Sequence, residues 1–400
     1  MEPRQQRGLQ LAKDKRIKCK GSMWIVPSQS NKGAHYLVNI HEGSCTCPDH
    51  ETRATRCKHQ WAVMYVRHMV EHEDGSIETT GTMRVTYAQE DWPGYNAAQC
   101  EEKSTVQSLL AGLCEGIVQP PHTGRGRPPL PLADLVYSMT MKVFVGMSGR
   151  RAMTDIANGL TGTAPRSNAI FASMQRPDLT PPLTSMVEAA AHPLAAIERD
   201  FAVDATGFAT TTYDRWFDKK WGREKKRQKW VKAHAMIGTV TNVITSIVVT
   251  DGNSNDCPEI VCLLDRTAGR FTMNEVSGDK AYLSNANLTA IEAAGAVPYV
   301  PFRSDSTPTG GRSGRASEAW RKMWLTYQLH RDEFLASYHK RSNVEATFSA
   351  MKRKFGASVR SKKFIAQVNE VLAKALCYNL SVVGKSMLTL GVDSGFGPAM

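Results

Sequence analysis

The sequence has no run of eighteen apolar residues, the length a helix needs to cross a bilayer, so no membrane span is expected. Its first stretch, MEPRQQRGLQLAKDKRIKCKGS, is basic but lacks an apolar core followed by a small-residue cleavage site, which argues against a secretory signal there. Cysteine is scarce and odd in number, nine in 400 residues: Cys19 lies in the basic first stretch, Cys45, Cys47 and Cys57 crowd together, and Cys100, Cys114, Cys257, Cys262 and Cys377 are scattered through apolar segments. That distribution speaks against a disulfide framework and for a reduced cytosol with one metal site. No internal repeat of solenoid length is visible.

What is present is the composition of a globular protein, 42% hydrophobic and 22% charged, in a chain long enough for two or three domains. Fifty Lys and Arg against thirty-eight Asp and Glu leave a net charge of +12, which favours a polyanionic partner.

Residues 1–22 read as a basic arm. Residues 23–72 hold a hairpin pattern (MWIVPSQSNKGAHYLVNI), the cysteine cluster and a short helix at 60–70, and the polar EHEDGSIETTGT that follows reads as a linker. Residues 73–131 carry a helix, KSTVQSLLAGLCEGIV, and the proline-rich segment containing Arg125-Gly126-Arg127-Pro128. Three helices with short turns at 132–145, 150–159 and 165–175 make 132–195 a helix-turn-helix-like DNA-binding region. From residue 196 to 385 the order becomes β-β-β-α-β-α-β-α, an α/β core of RNase H-like fold with a mixed sheet, and 386–400 is a tail.

Cys45-x-Cys47, then nine residues, then Cys57-x-His59 offers three thiolates and one imidazole, the ligand set that closes a tetrahedral structural zinc site. The one-residue gap puts both side chains of each pair on one side of the backbone. His50 competes for the imidazole position, but His59 completes the second pair. With the hairpin before it, Pro48-Asp49 after the first pair and Lys58 inside the second, the segment resembles the SWIM zinc finger. Such fingers bind DNA or proteins, and the sequence does not choose between them.

Three acids stand apart from the rest. Asp204 follows Phe201-Ala202-Val203 in a strand where a buried carboxylate is costly without a metal or a partner. Asp279 ends a later strand, which an RNase H-like arrangement places beside the first. Arg341, Glu345, Phe348 and Lys352 recur at helical spacing, an acid flanked by bases. Carboxylates suit magnesium or manganese, and phosphodiester chemistry uses two such ions about 3.5–4 Å apart.

Tyr338-x2-Arg341-x3-Glu345-x6-Lys352 matches in full the Y-R-E-K signature of the bacterial insertion-sequence superfamily of DDE transposases, and Val-Asp-Ala-Thr-Gly at 203–207 and Gly-Asp-Lys-Ala-Tyr at 278–282 resemble its first- and second-acid motifs. The resemblance runs over roughly residues 87–385, and 303–316 departs from it as an insertion, expected to be a DNA-facing or disordered loop. It implies that Asp204, Asp279 and Glu345 are catalytic and bind magnesium or manganese, with Tyr338, Arg341 and Lys352 on DNA. Asp256 is an accessory acid or the cap of a helix starting at Cys257.

Basic residues interleaved with tryptophan at 213–230, among them Trp216, Lys219, Lys220, Arg223, Lys225, Lys226 and Arg227, fit phosphate contact and base stacking, or equally a solvated hairpin. Arg125 and Arg127 resemble an AT-hook core for the minor groove. In the helical region Arg150, Arg151, Arg166, Ser167 and Asn168 are further donors for phosphates or bases.

The expectation is therefore a metal-dependent transposase, cytoplasmic and nucleoid-associated, that cleaves element ends and transfers the 3′-OH into target DNA. Its partners would be double-stranded DNA (terminal inverted repeats and target) and a second copy of itself. The rivals are a zinc-finger DNA-binding regulator with remnant acids, and a nuclease without strand transfer.

Overall fold

The computed structural model describes residues 3–12, 16–29, 33–53, 55–66, 69–71, 77–79, 92–122, 125–126, 128–160, 164–210, 230–310 and 316–396. They divide into two compact units, residues 1–89 and 90–400. No described helix is long and apolar enough to cross a membrane.

In the first unit the opening residues, read from composition as part of an arm, form helix α1 (Pro3–Ala12). A four-stranded antiparallel sheet follows in chain order, β1 (Lys18–Lys20), β2 (Met23–Pro27), β3 (His35–Asn39) and β4 (Ser44–Cys45). Then come α2 (Pro48–Arg53) and α3 (Lys58–Val66). Helix α1 seats on α3 through Gly8, where a β-carbon would lie 2.5 Å from Trp61 Cβ, so a glycine is what lets the two backbones close. Leu11, Val26, Val38, Ala62 and Val63 form a small core that also takes in Cys45, Cys47 and Cys57. The helix expected at 60–70 ends at Val66, and β5 (Met69–Glu71) pairs antiparallel with β6 (Ile77–Thr79), which lies in the segment expected to be a linker.

The second unit opens with helices α4 (Trp92–Cys100), α5 (Glu102–Glu115), α6 (Leu132–Val145), α7 (Met153–Ala157), α8 (Ser167–Ser173) and α9 (Thr180–Ala191). Helix α6 stops at Gly146, whose φ of 70° is a left-handed value that glycine adopts without a side-chain clash. The helices of the expected DNA-binding region share one apolar core with the sheet, so they pack as part of this unit.

The sheet comprises β7 (Asp200–Ala209), β8 (Trp230–Gly238), β9 (Ile244–Asp251), β10 (Glu275–Gly278) and β11 (Val297–Tyr299), ordered β11-β10-β7-β8-β9. The first three strands are antiparallel neighbours, while β10 runs parallel to both β7 and β11. Helices α10 (Glu259–Ala268) and α11 (Asn285–Ala293) make the crossovers those parallel pairings require. This mixed sheet with flanking helices has a strand order resembling the RNase H-like core of DDE transposases.

The stretch from 316 to 355 is broken into α12 (Glu318–Leu329), α13 (Arg331–Tyr338), a 3₁₀ turn at His339–Arg341 and α14 (Ser342–Phe355). Of the segment expected as a loop, 311–315 lies outside the described residues; Thr307 is held by Trp320 Nε1, which donates to its carbonyl at 2.9 Å. Helix α15 (Phe364–Leu390) runs beyond the expected end of the catalytic region and through the core. Its two buried asparagines are fully used. Asn379 Nδ2 donates to the carbonyls of Val187 at 3.0 Å and Ile244 at 2.7 Å, its Oδ1 accepts from Ile244 N at 2.9 Å, and one side chain thereby joins α15 to α9 and β9.

Candidate catalytic and metal-binding sites

Parallel pairing of β7 and β10 puts Gly278 opposite Val203, so the next residues along the two strands are Asp279 and Asp204. Asp204 is half-buried. Its Oδ1 accepts from Ala205 N at 2.8 Å and its Oδ2 from Arg341 Nη1 at 2.8 Å. Burial pushes its carboxyl above the usual range, the charges of Asp279 and Glu345 add to the rise, and the Ala205 amide and Arg341 oppose it. Asp279 accepts from Lys280 N at 2.6 Å and caps the short turn that follows, so it also carries the strand-end role.

Glu345 reaches the same place from α14. Arg341 Nη2 donates to Glu345 Oε1 at 2.7 Å, so a single guanidinium joins Asp204 to Glu345. Arg341 sits in the 3₁₀ turn rather than in the helix proper, yet it keeps the four-residue reach expected from sequence. Tyr338, at the end of α13, lies with its ring centroid 5.9 Å from the Arg341 guanidinium carbon. About two turns beyond Glu345, Lys352 Nζ donates to Thr206 Oγ1 at 2.6 Å and lies 5.2 Å from the centre of the Phe208 ring. Burial lowers its pKa. Asp204, Thr206, Glu345, Phe348 and Lys352 thus line one cleft of about 450 Å³, with a strand as one wall and α14 as the other.

Lys340 was not singled out by sequence. Its Nζ donates to Asp200 Oδ2 at 2.7 Å and to Glu275 Oε2 at 2.6 Å, two acids that face each other across the start of β7 and β10. Although burial alone would lower its pKa, those carboxylates hold it above the ordinary value. The signal lay in strand register, invisible until β7 and β10 are paired. Asp256 does not cap a helix with its side chain: α10 begins at Glu259, and the carboxylate pairs with Lys232 and, at 3.3 Å, with His234 Nδ1. His234 is fully buried, with Nε2 2.9 Å from Thr250 Oγ1, and burial lowers its pKa to about 4. Register places His234 opposite Ala205, on the sheet face away from Asp204.

Arg125 is exposed in an irregular segment. Arg127, Trp216, Lys219, Lys220, Arg223, Lys225, Lys226 and Arg227 lie outside the described residues.

In the first unit the ligand atoms of Cys45, Cys47, Cys57 and His59 lie within 4.8 Å of one another, and all four residues are buried. His59 Nδ1 is 4.0 Å from Cys45 Sγ and 3.9 Å from Cys57 Sγ, which makes it the nitrogen facing the thiols. Contact with Cys45 and His59 holds the Cys57 thiol well below its usual range, whereas the same contact with Cys57 and then burial push Cys45 up. Three soft sulfurs and an imidazole at this spacing can coordinate a metal ion. Among the described residues no carboxylate group is drawn together as tightly: the guanidinium of Arg341 stands between Asp204 and Glu345.

Residues 196–380 match the transposase DDE domain family. They are a domain of the DDE-transposase superfamily, the class of protein that this sheet order accompanies. The chain is also similar to the probable transposase for insertion sequence element ISA1214 of Archaeoglobus fulgidus, 25% identical over 187 residues, which are 47% of this chain and 54% of that one. The chain thus spans about half the length of that curated relative. No solved structure matches it.

Proposed function

We propose that the protein is a DNA transposase that cleaves the ends of its own element and transfers the freed 3′-OH into target DNA. What supports this reading most is a cleft lined by Asp204, Glu345 and Lys352, with Asp279 next to Asp204 by strand register, within the residues that match the transposase DDE domain. Asp204, Asp279 and Glu345 are the residues that would hold divalent magnesium or manganese, and burial, with the nearby charges of Asp279 and Glu345, raises the Asp204 carboxyl in a way that a bound cation would offset. Held there, such ions would supply Lewis-acid activation of the attacking oxygen and stabilisation of the leaving one.

The chain's own groups do the rest. Arg341 partly offsets the charges of Asp204 and Glu345 in the resting protein, and its fork would become available to a phosphate where a divalent ion took over those carboxylates. Lys352, on the same wall, is the second phosphate ligand, and Tyr338 braces Arg341. Asp204, Asp279 and Glu345 accept no covalent bond to DNA. Arg125, Arg127 and the basic segment at 216–227 extend the DNA path, and a second copy of the chain holds the other element end. Helices at 132–175 support end recognition. Cys45, Cys47, Cys57 and His59 hold one structural zinc ion, which organises residues 23–72 as a SWIM-type finger apart from the chemistry. The test is incubation of the full chain with duplexes carrying the sequences that flank its gene. Strand-transfer products that depend on magnesium or manganese support the proposal. Cleavage without joining identifies a nuclease, and tight binding with neither reaction identifies a regulator.

A further inference from the structure

A second charged cleft, of about 640 Å³, opens in the first unit, lined by Pro3, Arg4, Arg7, Asp49, Arg53 and Lys58. Four bases against one acid leave it three positive charges in excess. The bases come from three elements rather than one flexible tail. Arg4 and Arg7 ride on α1, which Gly8 and the buried Leu11 fix onto the unit; Arg53 ends α2; Lys58 sits between the metal-facing Cys57 and His59. Asp49 spaces the guanidinium groups. Arg4 donates from Nε to Asp49 Oδ2 at 3.2 Å and from Nη2 to Oδ1 at 3.1 Å, and Arg53 Nη1 lies 3.4 Å from that second oxygen. Lys58 is turned by a 3.0 Å bond to Gln29 Oε1. Arg7 and Arg53 stay exposed, and among the described residues Arg7 has no acidic partner in an ion pair.

We propose that this cleft binds the phosphodiester backbone of duplex DNA. Planar guanidinium forks match phosphate oxygens in pairs, and bases already held by packed helices lose little freedom on binding. The cleft offers one carboxylate, already engaged by arginines, and so nothing to hold a cation. Choosing DNA over an acidic polypeptide rests on the reading of residues 196–380 as a transposase. The contact is with backbone, so it adds affinity without sequence preference.

The experiment is fluorescence anisotropy of the full chain with a random-sequence duplex over a series of potassium chloride concentrations, comparing the parent with Arg7→Gln/Arg53→Gln. Each phosphate contact contributes about 0.9 to the slope of log affinity against log salt, so losing two lowers the slope by roughly 1.8 and weakens binding about ten-fold or more at moderate salt. Arg7→Lys/Arg53→Lys keeps most of both. Unchanged metal content and melting temperature show that the variants fold. A parent slope retained by a folded Gln variant overturns the proposal, as does loss of polyglutamate binding with duplex binding intact. Binding is read without cleavage. A failure of end cleavage therefore leaves this result standing, and an unchanged slope leaves the transposase reading standing.

Discussion

Arg341 and Asp204 are joined at 2.8 Å, across 137 residues of chain, and the other nitrogen of the same guanidinium holds Glu345 at 2.7 Å. A cation of the protein itself therefore stands where the account puts metal, and any divalent ion competes with it. Arg341→Gln is expected to tighten manganese binding by about ten-fold, roughly 1.4 kcal/mol, while DNA cleavage falls because a phosphate ligand is gone. Calorimetric titration with manganese checks the first part. Weaker binding in the variant would mean that Arg341 builds the carboxylate site rather than competing for it.

Lys340 performs a different task one residue earlier, tying the turn before α14 to the paired starts of β7 and β10. Lys340→Ala leaves Asp200 and Glu275 facing each other with no cation between them. We expect a loss of about 1–3 kcal/mol in urea unfolding, with Lys340→Arg recovering part of it. An unchanged midpoint would show that the two ion pairs add nothing to stability.

Much of the region around the five-stranded sheet was readable because its signals are local. The strand and helix order from 200 to 302 follows from alternation, turn residues and apolar runs, and that order is what sets the segments of Asp204 and Asp279 side by side. Contacts set by register were not readable: Lys340 needs the Asp200–Glu275 pairing, and the Lys232–Asp256–His234 group needs β8 to be laid against the loop after β9. The docking of α1 was hidden too, because Arg4 and Arg7 read as a charged arm until Gly8 is seen touching Trp61. The central passage of α15 through the core turns on Asn369 and Asn379, polar residues whose partners lie 135 or more positions away.

Removing metal is expected to affect the two units unequally. Cys45, Cys47, Cys57 and His59 supply much of the small first core, so a zinc chelator should open residues 1–89 to protease and leave 90–400 resistant. Metal analysis should find one zinc per chain, and none after Cys57→Ala. Full protease resistance in the chelated protein would contradict a structural role for the ion.

His234 gives a pH dependence. Burial lowers its pKa from 6.5 to about 4, so between those values the unfolded chain takes up a proton that the folded chain refuses. Stability present at neutral pH is therefore lost as pH falls from about 6.5 toward 4, by up to about 3 kcal/mol from this group. Urea midpoints between pH 7 and 5 should fall less steeply for His234→Gln than for the parent. Parallel slopes would place the dependence elsewhere.

The central claim is that Asp204 and Glu345 carry metal-dependent phosphoryl transfer. Its most direct measurement is the rate of manganese- or magnesium-dependent cleavage of element-end DNA by the parent, Asp204→Asn and Glu345→Gln, each at saturating DNA. The account predicts a fall of roughly 100-fold or more in both variants, with duplex binding retained. Cleavage by either variant at the parent rate would contradict it.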